Sequence, residues 1–277
     1  MTSNKSELAK TTFLFIGGGN MAKALVLGLL NNNVQAEDIT VVDPDSDKRH
    51  SLATELAIKV MSNTELKSLT QDCIFLCVKP QIMQSVCSSL KDLPCKSNSV
   101  FISVAAGITL DQLKRWLVTQ NPIVRTMPNT PALISQGATG LYTDDPLSEA
   151  QTETINTLFN NIGISIWCNS ENDLNTVTAL SGSGPAYYFQ LFESMHTAAL
   201  ELGLHEDDAK QLILQTAIGA AMMATLTDED FQTLRENVTS KGGTTAAGLA
   251  VFAQEGFDQI IQTAIKAAHA RSIELSQ

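Results

Sequence analysis

The sequence predicts an α/β chain, a doubly wound parallel sheet followed by an all-helical half. Three observations carry that reading. Short apolar runs alternate with helical stretches as far as about residue 168. The first of those runs ends in a glycine cluster that leads directly into a helix. Beyond about residue 170 no run reads as a strand, and long segments rich in Ala, Leu and Met take over. The division expected is 1–168 for the sheet and 169–277 for the helices.

Strands are expected at 12–16, 39–43, 58–61, 73–78, 99–105, 122–126 and 163–167, with helices near 20–31, 46–57, 81–91 and 109–118. Phe13 to Ile16 has the length and make-up of a strand covered on both faces. Gly17, Gly19 and Ala22 then fall at the G-x-G-x-x-G/A spacing, and Leu25, Leu29 and Leu30 continue a helical pattern. The first glycine makes the tight turn, and the second lets backbone approach a pyrophosphate. The third small residue lets the helix pack close to the strand, with its N-terminus aimed at the phosphates. Strand, turn and helix in this order point to a Rossmann-type dinucleotide site, and Ile16, Gly17, Gly18, Gly19, Asn20 and Met21 are its candidate contacts.

Asp43 ends the second strand, near where an acidic residue holds the ribose 2′-hydroxyl of NAD. It would repel a 2′-phosphate, whereas Lys48 and Arg49 on the next helix could reach one. Asp43-Pro44-Asp45 also reads as a turn with a helix cap. NADPH and NADH therefore both stay open.

With 44% hydrophobic and 17% charged residues, the 277-residue composition is that of a soluble globular protein with a substantial core. No apolar run approaches the roughly 20 residues of a membrane span, and Met1 to Lys10 is polar, without a signal-peptide apolar region. A net charge of −11 argues against a nucleic-acid partner. The five cysteines, at 73, 77, 87, 95 and 168, include no C-x-x-C pair. Cys73 and Cys77, in an apolar run, read as small buried hydrophobes, a cytoplasmic setting is expected, and no metal site is expected.

Two further loops leave strand ends on the side where an open α/β sheet meets its ligand: Cys77-Val78-Lys79-Pro80 and Ser103-Val104-Ala105-Ala106-Gly107. Arg125-Thr126-Met127-Pro128-Asn129-Thr130-Pro131 leaves the sixth strand with two prolines fixing its path. In the helical half, Ser181-Gly182-Ser183-Gly184-Pro185-Ala186-Tyr187 places a proline where a helix can start. The stretch Glu236 to Thr245 ends in Ser240-Lys241-Gly242-Gly243-Thr244-Thr245. Its successive amides, unobstructed by glycine side chains, suit an anion such as a carboxylate. Helices apolar on more than one face need a partner to bury them, so a second copy of the chain is expected.

Six of these segments, in this order, resemble the pyrroline-5-carboxylate reductase family: Ile16 to Ala22, Val78 to Pro80, Ala105 to Gly107, Arg125 to Pro131, Ser181 to Tyr187 and Gly242 to Thr245. The likeness runs over nearly the whole chain. It implies a Rossmann domain, a helical dimerisation domain, NADPH or NADH as hydride donor, and an active site completed across a homodimer, with a larger ring of dimers as a further assembly. By match to the motifs it implies cofactor contacts at Asn63, Val78, Lys79, Pro80, Val104, Ala105, Ala106 and Asn237, besides the first loop and Asp43. It implies substrate contacts at Glu171, Ser240, Gly242, Gly243, Thr244 and Thr245. Two positions depart from the family pattern: Lys241 stands where proline is usual, and Asp43 where many members have a small hydroxyl residue.

The implied reaction suits the residues. Reducing 1-pyrroline-5-carboxylate to proline needs a hydride on carbon and a proton on nitrogen, and a protonated imine already carries that proton. The histidines at 50, 196, 205 and 269 belong to no catalytic constellation, and the Thr245 hydroxyl is the candidate to bond the ring nitrogen. Two other readings remain. A β-hydroxyacid dehydrogenase would carry a lysine base on its first interdomain helix, and Leu174 to Ala186 has none; an imine reductase for another ring shares the same plan. A noncatalytic dinucleotide sensor would need the first glycine loop but not Gly243-Thr244-Thr245.

Overall fold

The computed structural model describes residue 8 and residues 10–276; most of the polar start, 1–7 and 9, and Gln277 lie outside the described residues. Eight strands form one sheet: β1 (Phe13–Ile16), β2 (Ile39–Val42), β3 (Lys59–Met61), β4 (Cys73–Leu76), β5 (Val100–Ser103), β6 (Ile123–Met127), β7 (Gly137–Tyr142) and β8 (Gly163–Trp167). Their spatial order is β3-β2-β1-β4-β5-β6-β7-β8. The chain thus returns to the centre after β3 and runs outward the other way, the doubly wound arrangement expected. The sheet is not wholly parallel: β7 runs antiparallel to β6, and β8 pairs parallel with β7.

β7 was absent from the expected strands because Gly-Ala-Thr-Gly-Leu-Tyr carries two glycines and little β-branching. Tertiary packing overrides that propensity. A β-carbon on Gly140 would lie 2.9 Å from Val177, and one on Gly137 would lie 2.8 Å from the Ile162 carbonyl, so both positions need the bare backbone.

The helices of this part are α1 (Asn20–Asn31), α2 (Ser46–Leu56), α3 (Pro80–Leu90), α4 (Leu110–Leu117), α5 (Glu149–Asn161) and the short α6 (Asp173–Val177). α5 too was missing from the expectation, although Ser148 and Gln151 form a reciprocal capping box at its start. Its Ile155, Leu158 and Phe159 are fully buried. Alternating strand residues feed two cores. Phe13 and Phe15 join Leu25, Leu29 and Phe159 on one face, with the Phe15 and Phe75 rings stacked at 4.5 Å. Leu14 and Ile16 join Met83, Leu113 and Leu117 on the other.

A π-helical turn, Thr178–Gly182, follows α6. The remaining helices are α7 (Gly184–Glu201), α8 (Glu206–Leu226), α9 (Phe231–Asn237), α10 (Thr244–Gln254) and α11 (Phe257–Leu275). The chain forms two compact units, one running to Ser183 and resumed at Ala268, the other Gly184–Ala267. The boundary between the compact units lies at Ser183/Gly184, and Leu174 and Val177 pack on Gly140 of β7. The last turns of α11 also belong to the sheet unit. Across α7 to α10 only Gly184, Ala209 and Ile213 are buried, and Phe231 and Leu226 are about four-fifths exposed. An apolar surface of that extent requires a covering partner. Among the described residues no helix is long and apolar enough to cross a membrane, and no group of three potential metal ligands occurs.

Candidate active site

Strand register brings the three glycine-flanked ends together. Ile16 lies beside Val42 on one side and Leu76 on the other, and Leu76 beside Ser103. Gly17, Asp43, Cys77 and Val104 therefore emerge in one row at the carboxyl ends of β1, β2, β4 and β5. The row is tied by backbone bonds: the Gly17 amide donates to Val42, the Cys77 amide to Ile16 and the Val104 amide to Leu76. This row spans the point where strand order reverses, between β1 and β4. The opposite end of the sheet offers less. A cleft of about 450 Å³ opens at the amino ends, lined by Asp72, Asn98, Ser148 and Thr154, but the helix that starts there, α5, is already capped by Ser148.

The glycine loop fits a dinucleotide pyrophosphate. Gly17 has φ +100°, and a β-carbon there would lie 2.5 Å from the Cys77 carbonyl oxygen, so the tight turn admits glycine alone. Gly17→Ala should cost about 2–4 kcal/mol of stability from strain and overlap, read as a lowered Tm. Gly19 is different. Its φ of −76° is ordinary extended backbone, nothing lies within 4 Å of a β-carbon there, and it caps α1 with no side chain on the helix's first amides. Ala22 is buried beneath, as a close strand–helix contact needs. Asn20 is exposed and Met21 half-buried at the same helix start.

Asp43 does more than end a strand. Its Oδ2 accepts from the Gly18 amide at 2.8 Å and its Oδ1 from the Asp45 amide at 2.9 Å, and the residue is 6% exposed. The cap on α2 is Asp45, whose Oδ1 accepts from the amides of Asp47 and Lys48. These backbone bonds hold the Asp45 carboxyl below the usual carboxylate range. Arg49 turns its Nη1 onto the Asp43 and Pro44 carbonyls at 2.7 and 2.9 Å. Asn63 is exposed just past β3. Val78 and Lys79 lead into α3 with Pro80 at its first turn, and Val104, Ala105 and Ala106 lead toward Gly107 at φ +74°.

Glu171 lies in the sheet unit. Its Oε1 accepts from the buried Arg125 guanidinium and from the Leu110 amide, both at 2.6 Å. Asn129, buried, donates to the Ser181 carbonyl and accepts from the Ala138 amide, so the β6 loop and the π-turn are bonded to each other. Neither tie was visible in the sequence. Separations of 46 to 61 residues leave no local signal, although the motifs containing Arg125, Asn129 and Ser181 were all singled out.

In the helical unit, Gly242 has φ +73° and the Gly243 amide donates to the Ser240 carbonyl. A β-carbon on Gly243 would overlap the Ser240 hydroxyl. Gly243 caps α10 with no side-chain bond, which leaves the first amides of an 11-residue helix free of any capping side chain. Thr244, Thr245 and Lys241 are exposed beside them. Asn237 ends α9 and donates its amide to Glu229.

Residues 171–275 match the model described as pyrroline-5-carboxylate reductase dimerisation, and residues 12–107 match NADP oxidoreductase, coenzyme F420-dependent. A pyrroline-5-carboxylate reductase of Pseudomonas aeruginosa is 43% identical over 263 residues, covering 95% of this chain and 96% of that one. The chain belongs to the pyrroline-5-carboxylate reductase family. A relative of the same name from Haemophilus influenzae is 42% identical, covering 94% of this chain and 96% of its own. Among solved structures, the family's Coxiella burnetii member has a TM-score of 0.89 at 36% identity, covering 96% of this chain and 99% of that one. The Plasmodium falciparum enzyme, solved with NADP bound, has a TM-score of 0.86 at 31% identity, covering 97% and 99%. Family membership thus places the chain among NAD(P)-dependent oxidoreductases with a Rossmann-type domain and a dimerisation region.

Proposed function

We propose that this chain is a cytoplasmic pyrroline-5-carboxylate reductase, acting as a homodimer that assembles further into a ring of dimers. The observation that carries the activity is that each unit contains an uncapped helix start, at Gly19 in one and Gly243 in the other, each behind a glycine with positive φ. The first suits a pyrophosphate, and the second a carboxylate. In this reading residues 1–168 bind the dinucleotide, and 169–277 supply dimerisation and substrate contacts.

The coenzyme supplies the hydride. Gly17 to Met21 hold its pyrophosphate, Asp43 and Asn63 the adenosine side, and Val78 to Pro80 with Val104 to Ala106 the nicotinamide side, joined by Asn237. The amides of Gly242, Gly243 and Thr244, with Ser240, hold the imine's carboxylate. Lys241 adds positive charge beside it. The Thr245 hydroxyl has no hydrogen-bond partner among the described residues, which leaves it available to the ring nitrogen. Because the imine nitrogen arrives protonated, the site needs position and charge complementarity rather than a separate acid.

The direct test is oxidation of NADH and NADPH, in parallel, with pyrroline-5-carboxylate; no turnover with either overturns the reading. If Asp43 pairs with the adenosine ribose hydroxyls, NADH should serve at least as well as NADPH. Asp43→Ser removes that charge and should shift the kcat/KM ratio toward NADPH by about tenfold or more. A wild-type enzyme that strongly prefers NADPH would mean that Asp43 serves only the Gly18 and Asp45 amides, and that Lys48 and Arg49 face the phosphate.

A further inference from the structure

The segment matched by the dimerisation model begins and ends on a single loop of the sheet unit. Its first residue, Glu171, accepts the Leu110 amide at 2.6 Å and so holds the far end of the stretch from Val104 to Leu110. Its last residue, Leu275, packs against the turn in the middle of that stretch. A β-carbon on Gly107 would lie 2.9 Å from the Leu275 carbonyl oxygen and 3.1 Å from the Leu275 β-carbon.

Both contacts are anchored. The Glu171 oxygen that takes the Leu110 amide also takes Arg125, whose side chain is 8% exposed, so it cannot swing away without leaving a buried cation unpaired. The last turn of α11 is fixed by Ser272, which is 5% exposed and donates its hydroxyl to Asn175 at 2.8 Å. Asn175 in turn donates to Asn172. Gly107, Ile108 and Leu110 are buried between these ties.

We infer that Glu171 and the Ser272–Leu275 turn are positioning elements for the coenzyme, forming two jaws that fix the β5 loop against the nicotinamide end of the dinucleotide. The inference rests on the reading of Val104 to Ala106 as coenzyme contacts. It gives Glu171 a role other than the substrate contact implied by family resemblance. In a doubly wound sheet the second half of the strands, here β4 to β6, serves the second nucleotide. A loop on that side shifted by a fraction of an ångström presents the nicotinamide ring wrongly, whatever happens at the imine. The arrangement also means that the segment which makes the dimer sets the loop that receives the coenzyme.

The experiment uses the full dimeric enzyme with three single variants: Glu171→Gln, Ser272→Ala and Ala106→Leu. Coenzyme Kd is measured by fluorescence titration, and the KM values of coenzyme and imine are measured separately, each with the other saturating. Both jaw variants should raise coenzyme Kd and KM roughly tenfold while imine KM stays within about twofold. A Glu171→Gln enzyme with raised imine KM and unchanged coenzyme Kd would make Glu171 a substrate ligand and overturn the inference. So would unchanged coenzyme Kd in Ser272→Ala, which also carries the test if Glu171→Gln does not fold. Ala106→Leu separates the loop's contact with coenzyme from the jaws' hold on the loop. If it leaves coenzyme binding intact, the loop reading itself fails and the jaws fall with it. If it weakens binding while the jaw variants do not, the jaws alone fail.

Discussion

Gly19→Val is expected to leave a folded dimer that no longer binds coenzyme. Valine is tolerated by the chain itself at this position, since the backbone is extended at φ −76° and no atom lies within 4 Å of a β-carbon. The observed φ puts no strain on a β-branched residue here. The branched side chain instead occupies the approach to the uncapped start of α1, where a pyrophosphate must come close to backbone amides. Losing those amides and adding overlap should weaken coenzyme binding by at least about a hundredfold, or roughly 3 kcal/mol. The Tm without coenzyme should move by only a few degrees. Calorimetric titration with NADPH and NADH, beside a thermal melt, reads both quantities. Unchanged affinity would remove the loop from the coenzyme site.

Thr245→Ala is expected to impair turnover far more than coenzyme binding. The hydroxyl lies on the first turn of α10, exposed and without an intramolecular partner among the described residues, so the helix loses little with it. As hydride adds to carbon the iminium loses its charge and its nitrogen gains a lone pair, to which the hydroxyl can donate in the transition state. Its loss should reduce kcat/KM for the imine by about ten- to a hundredfold, corresponding to 1.4–2.7 kcal/mol. Coenzyme Kd should stay within about twofold. Wild-type kcat/KM in this variant would assign the hydroxyl to the solvent and turn attention to Ser240.

The parts of the fold that were legible are those whose cause is local. β1 through β6 are largely apolar runs bounded by turn residues, and Thr109 with Gln112 opens α4 through a capping box written three residues apart. β7 was not legible, because its glycines answer to Val177 and Ile162, far along the chain. The site divides the same way. Gly17 and Gly242 hold positive φ that favours glycine, whereas Gly19 and Gly243 were marked by spacing and by the bare helix starts they precede. Asp43 was located but not its bond to Gly18, and Glu171 was marked while its partners Arg125 and Leu110 were hidden by distance.

The return of α11 to the sheet unit bears on how the protein is made. Residues from Ala268 onward belong to a unit whose first strand starts at Phe13. A ribosome synthesising the chain at about 5–20 residues per second therefore exposes strands and helices of that unit for ten seconds or more, roughly, before its closing turn is available. In that interval Gly107 lacks the Leu275 backbone and Asn175 lacks Ser272. The sheet unit therefore gains its last contacts, at Gly107 and Asn175, only after residues 268 onward have been made.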